Sequence, residues 1–175
     1  MNEQKITLNL SKQEILNDYK IAYLRRQLSL LGRREVLTGK AKFGIFGDGK
    51  EVAQVAAAHQ FKNGDWRSGY YRDQTFMFAT GMSTPNEFFA QLYGDTNIDN
   101  NPSNAGRSFN NHWGNRYIDH NGEWVNQTHT KNTAADLSPT AAQMPRLVGL
   151  AYASKLYRLN PDLKHMDKFS INGNE

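Results

Sequence analysis

From Asp95 to Asp136 the chain drops hydrophobic periodicity of either kind, and this stretch limits its possible folds more than any other feature. It is rich in asparagine, glycine, threonine and histidine, yet it carries Phe109, Trp113, Tyr117 and Trp124. A loop of that length inside a domain is functional or disordered. The aromatic side chains argue against full disorder, because a chain that stays unfolded has few of them. The regular elements must therefore lie on either side of a long, polar segment with a job.

Those elements can be read from capping and periodicity. Ser11 and Glu14 form a capping box that opens a helix, in which Ile15, Tyr19, Ala22, Tyr23, Leu28 and Leu31 recur on one face and which Gly39 stops. A second helix is expected over about 50–62, with Val52, Val55, Ala56 and His59 on one face, and His59 reads as a core histidine. A third, short helix follows Arg72 and ends at Gly81. Thr84-Pro85-Asn86-Glu87 starts a fourth, which ends at Gly94. After the polar segment, Ser138-Pro139 starts a helix that ends before Pro161, with Ala141, Met144, Val148, Ala151, Tyr152 and Leu156 as its apolar positions and Pro145 as a possible bend. Residues 168–171 look like the edge of a strand, and Asn172-Gly173 is a turn signal. There is no internal repeat.

At 175 residues the chain suits one domain of ordinary size. It has no cysteine, so it has no disulfide framework and no thiolate chemistry, which fits a cytoplasmic protein. The start MNEQKITLNL lacks the form of a secretory signal, and no apolar run approaches membrane-spanning length. The net charge of +4 comes from scattered basic residues. Arg25-Arg26 and Arg33-Arg34 read as a solvated helix face, so neither nucleic acid nor membrane is an expected partner. A mean hydropathy of −0.73 is low for a stand-alone enzyme and suggests a chain that leans on another subunit or on further sequence.

Several segments, taken in order, resemble one known family. The first is Gly49-Lys50-Glu51-Val52-Ala53-Gln54-Val55-Ala56-Ala57-Ala58. Next come Gly64-Asp65-Trp66, Tyr70-Tyr71-Arg72-Asp73 and Thr80-Gly81-Met82-Ser83, then Gly106-Arg107 with His112-Trp113-Gly114. The last is Leu137-Ser138-Pro139-Thr140-Ala141-Ala142-Gln143-Met144-Pro145, with Val148-Gly149-Leu150-Ala151-Tyr152-Ala153 after it. Over roughly 43–157 they resemble the alpha subunit of the thiamine-diphosphate-dependent 2-oxo acid dehydrogenases, the branched-chain (2-oxoisovalerate) type most of all. Two departures bear on substrate identity and on any bound monovalent cation. The family's ATQ is Ala141-Ala142-Gln143 here, and the residue before Tyr-Arg, often glutamine in branched-chain enzymes, is Tyr70.

The resemblance implies an α/β thiamine-diphosphate-binding fold, with 1–42 a leading helical segment and 43–175 the mainly helical N-terminal part of the binding domain. It implies thiamine diphosphate bound by Arg72 and Tyr71 at the diphosphate and by Ser138 and Thr140 at the aminopyrimidine, with Tyr70 toward the substrate. His112 is a candidate contact near substrate, and no residue of this chain is assigned as catalytic. The implied Mg2+ would find its ligands beyond Glu175, so the chain alone should be inactive. The triplet Gly47-Asp48-Gly49 imitates the family's metal motif but lacks the asparagine at the required spacing, and reads as a glycine-rich turn before a helix. The implied partners are a beta subunit or fused beta part and a lipoyl acyltransferase component, in a homo- or hetero-oligomer. Pyruvate and acetoin dehydrogenases share these motifs, and a non-enzymatic helical interaction module is the rival from another class.

Overall fold

Ser11 opens α1 (Lys12–Leu37) through the expected capping box: its hydroxyl accepts from Glu14 N, and the Glu14 carboxylate accepts from Ser11 N at 2.7 Å. The computed structural model describes residues 10–169. In order follow α2 (Glu51–Ala58), β1 (Trp66–Ser68), α3 (Gln74–Ala79), α4 (Pro85–Tyr93), β2 (Asn132–Ala134) and α5 (Gln143–Leu159), with a short 3-10 turn at Pro161–Leu163. Among the described residues the chain is mainly helical, with one small parallel sheet of β1 and β2 in which Trp66, Arg67 and Ser68 pair with Asn132, Thr133 and Ala134. Among the described residues, no helix is long and apolar enough to cross a membrane.

The helices bury faces other than those the periodicity suggests. In α1 the buried residues are Arg25, Leu28, Ser29, Gly32 and Glu35, while Ile15, Tyr19 and Tyr23 lie exposed. The reason is length, because α2, α3 and α4 cover mainly the second half of a 26-residue helix. Arg25, expected on a solvated face, is 1% exposed, with its guanidinium 4.6 Å from the centre of the Phe88 ring. Arg26 and Arg33 reach Glu51 and Asp48. Helix α2 ends at Ala58, earlier than expected, and buries Glu51, Val55 and Ala58, leaving Val52 exposed. His59 is no core residue: it caps the helix from outside, with Nε2 2.9 Å from Asp18 Oδ2.

Helix α5 starts at Gln143, after a turn through Ser138–Ala142, and none of its residues is buried. Pro145 is its third residue, where the missing N–H would have had no partner in the helix, so no kink is required. Lys168 and Phe169 lie in a turn rather than a strand, and the Asn172-Gly173 signal lies outside the described residues.

The polar segment does not stand apart from the core. Trp113 is 1% exposed, Asn101 and Asn111 are fully buried, and Asn132 is almost so. Their amides stand in for backbone partners. Asn110 pairs with both the N–H and the carbonyl of Ile45, at 3.3 and 3.4 Å, as a neighbouring strand would. The Asn132 amide donates to the Gln127 carbonyl at 2.7 Å. Buried irregular backbone needs such donors and acceptors, which is why this segment is asparagine-rich without hydrophobic period.

Candidate functional site

Because β1 and β2 run parallel, both chains leave the sheet on the same side. After β1 comes Gly69 and then Tyr70-Tyr71-Arg72; after β2 comes Ala135-Asp136-Leu137 and then Ser138-Pro139-Thr140. Ligands of parallel sheets bind outside the carboxyl ends of the strands, where such loops converge. Here they meet directly: the Tyr70 hydroxyl lies 3.3 Å from Thr140 Oγ1 and donates to the Tyr71 hydroxyl.

A buried ion cluster holds the two loops together. Arg67 in β1 is 8% exposed, and its Nη2 lies 3.0 Å from both Asp73 Oδ2 and Asp136 Oδ1, while Nη1 donates to Thr133 Oγ1 at 2.8 Å. Asp73 in turn accepts from Tyr70 N at 2.9 Å. Asp136 lies two residues before Ser138 and accepts from Trp113 N at 3.2 Å. Gly69 leaves room for this cluster: a Cβ there would lie 1.2 Å from Arg67 Nη2 and 2.5 Å from Asp136 Oδ1, so any side chain would displace the ion pair. Burial pushes the Asp136 carboxyl above its ordinary value, and Arg67 works against that shift.

The third contributor comes from the polar segment. His112 is 6% exposed, with Nε2 2.6 Å from Ser138 Oγ and Nδ1 3.1 Å from the Asn110 carbonyl. Its ring centre lies 6.3 Å from that of Tyr71. Left-handed backbone flanks the site on both sides, at Asn111 (φ 61°) and Ala141 (φ 67°). For a non-glycine residue this conformation costs on the order of 1–2 kcal/mol.

The charges and hydroxyls are divided across the site. Arg72 is exposed, its guanidinium 5.4 Å from the Tyr71 ring centre, and it forms no ion pair among the described residues. Its backbone is fixed instead: the carbonyl accepts from Gln54 Nε2 at 2.8 Å and packs against Gly47, where a Cβ would come within 2.6 Å. Its hydrogen-bond contacts with Thr140 and then with Tyr71 hold the Tyr70 hydroxyl below the ordinary phenol value, and the contact with Tyr70 pushes Tyr71 up. The result is an exposed planar cation beside a phenol on one loop, with the hydroxyls of Ser138 and Thr140 on the loop that meets it through Tyr70. Such a set can take an anionic group at one end and a neutral polar ring at the other.

Every residue singled out from the sequence as a site candidate is therefore in this cluster: Tyr70, Tyr71, Arg72, His112, Ser138 and Thr140. His129, also in the polar segment, is exposed in a turn at 126–129 and takes no part. Gly47-Asp48-Gly49 is a turn before α2, with Gly49 at φ 85° and Asp48 paired to Arg33 at 2.5 Å. Among the described residues, no group of three or more His, Cys, Asp or Glu could hold a metal. Sequence reasoning missed Arg67, Asp73, Asp136 and Asn110. Of these only Asp73 carried a local signal, as the residue between Tyr-Arg and the next helix.

Comparison with known proteins gives one family and a distant relative. Residues 19–171 match the dehydrogenase E1 component family. The 2-oxoisovalerate dehydrogenase subunit alpha of Bacillus subtilis (strain 168) is 27% identical over 154 residues, which cover 85% of this chain and 40% of that protein. The chain thus spans well under half the length of the curated relative it matches.

Proposed function

The chain belongs to the dehydrogenase E1 component family, and on that premise we propose that it is the N-terminal part of the alpha component of a thiamine-diphosphate-dependent 2-oxo acid dehydrogenase, acting on branched-chain 2-oxo acids. The observation that carries this reading is the convergence of Tyr70, Tyr71, Arg72, Ser138 and Thr140 at the carboxyl ends of two parallel strands. Residues 43–175 belong to the cofactor-binding domain and 1–42 lead into it. The donor set fits the cofactor: a planar cation without a carboxylate partner suits a diphosphate, with the Tyr71 hydroxyl beside it. Ser138 and Thr140 face the aminopyrimidine from the other loop. The bound thiazolium would supply the electron sink for decarboxylation. This chain's residues bind and orient; Mg2+ takes its ligands from later residues of the full-length protein, and the chain by itself does not turn over 2-oxo acids.

Tyr70 stands in place of the glutamine often found in branched-chain enzymes, which leaves pyruvate or acetoin as the second reading of the substrate. Competition among the three substrates in the full-length enzyme separates them. The wide exposed faces of α1 and α5 support an assembly with a beta part, which would present the site to a lipoyl acyltransferase component.

The test of the site is titration of thiamine diphosphate into the full-length protein at fixed magnesium. Arg72→Ala removes a charged donor worth about 1.5–3 kcal/mol, so affinity should fall roughly ten- to hundredfold. Arg72→Lys recovers only part, because an ammonium cannot make two parallel bonds. Arg34→Ala, on the exposed last turn of α1, leaves affinity unchanged. Wild-type affinity in Arg72→Ala would remove the assignment.

A further inference from the structure

His112 is buried, and both of its ring nitrogens are engaged. The partner of Nδ1 is the Asn110 backbone carbonyl, which can only accept. In the neutral ring the hydrogen therefore sits on Nδ1, and Nε2 is left as an acceptor. Ser138 Oγ, 2.6 Å away, must then donate its one hydrogen to Nε2. The backbone that carries the ring is held as well. The main-chain N–H of His112 donates to Gln91 Oε1 at 3.1 Å, and its main-chain carbonyl accepts from Asn104 Nδ2 at 3.2 Å.

Ser138 is exposed while the ring behind it is buried, so the serine oxygen turns only lone pairs toward the site. An oxygen in that state accepts from an N–H and has nothing to offer a phosphate oxygen. Arg72, on the other loop, has the opposite polarity: it can donate and cannot accept. The two ends of the site are thus chemically distinct, and the histidine sets one of them.

Resting on the thiamine-diphosphate reading above, we propose that His112 is a positioning residue that fixes the Ser138 hydroxyl as a hydrogen-bond acceptor toward the amino-bearing ring of the cofactor, leaving phosphate recognition to Arg72 and Tyr71. His112 acts through Ser138 and does not itself touch the reacting atoms.

The experiment uses two probes on the full-length protein, thiamine diphosphate and inorganic pyrophosphate, with nitrogen NMR of labelled histidine as an independent readout. The His112 signals, identified by their loss in His112→Gln, should show hydrogen on Nδ1 and a bare Nε2. Ser138→Ala and His112→Phe should each weaken thiamine diphosphate by about tenfold, the loss of one hydrogen bond, and leave pyrophosphate affinity unchanged. His112→Gln places an amide oxygen near the Nε2 position and should recover most of the loss, which a merely space-filling role would not require. Arg72→Ala should weaken both probes. Hydrogen on Nε2, or an equal loss of pyrophosphate affinity in Ser138→Ala, overturns the inference while the cofactor site stands. A wild type that binds neither probe overturns the cofactor reading itself, and with it the ligand assigned to Ser138.

Discussion

Arg67 is the residue on which both halves of the site depend. One guanidinium nitrogen lies between Asp73, which anchors the Tyr70–Arg72 turn, and Asp136, which leads into Ser138. Arg67→Met would leave the Asp136 side chain, which has no exposed surface, without its cation. Removing one partner of a buried pair costs about 3–5 kcal/mol, so chemical denaturation of the full-length protein should show a loss of that order; a loss below about 1 kcal/mol would mean the cluster is solvated. Tyr117 makes a second, pH-dependent claim. Burial pushes its phenol up to about 12, and its hydroxyl donates to the Thr133 carbonyl at 2.6 Å. The fold favours the neutral form, so this contribution is complete below the ordinary phenol value of 10.0 and is lost as pH rises from there toward 12. Stability measured across that window should fall more steeply in wild type than in Tyr117→Phe. At this scale the sequence was readable where a motif is local: Tyr70-Tyr71-Arg72 and Ser138-Pro139-Thr140 each sit within a few residues of one another. Arg67 and Asp136 could not be found that way, because their meaning lies in a contact between loops far apart in the chain.

Elements with two good ends were read correctly, and elements defined by a face were not. Helix α4 shows the first case. Thr84 and Glu87 cap one another, Pro85 takes the first helical position, and Gly94 ends the helix at φ 68°. All of this is local chemistry. Thr84→Ala should cost about 1 kcal/mol of stability, measured as a lower denaturation midpoint, while Asn86→Ala, in the first turn of the same helix but uninvolved in the cap, should cost little. Helices α1 and α5 show the second case. Their apolar periodicity is real, but the surfaces that would cover Ile15, Tyr19, Val148 and Tyr152 are not among the described residues. Periodicity reports a face that needs a partner; it does not say whether the partner lies in the same stretch of chain. The polar segment fails as a sequence signal for the opposite reason. Its order comes from asparagine amides that satisfy backbone groups, as at Ile45 and Gln127, and that has no period.

At the scale of the whole molecule, the expected α/β character shows among the described residues as two short parallel strands, and the site depends on their pairing. Arg67 of one strand meets Thr133 of the other across 66 residues of sequence. That separation has a consequence in time. A ribosome adding about 5–20 residues per second needs roughly 3–13 s to make the intervening chain. For that interval the nascent protein holds a Tyr-Arg turn without the serine loop that faces it, and a cation, Arg67, without the Asp136 that will bury it. The helices can form early, from local contacts. The meeting of the two loops cannot, and it comes into being only when the second strand arrives.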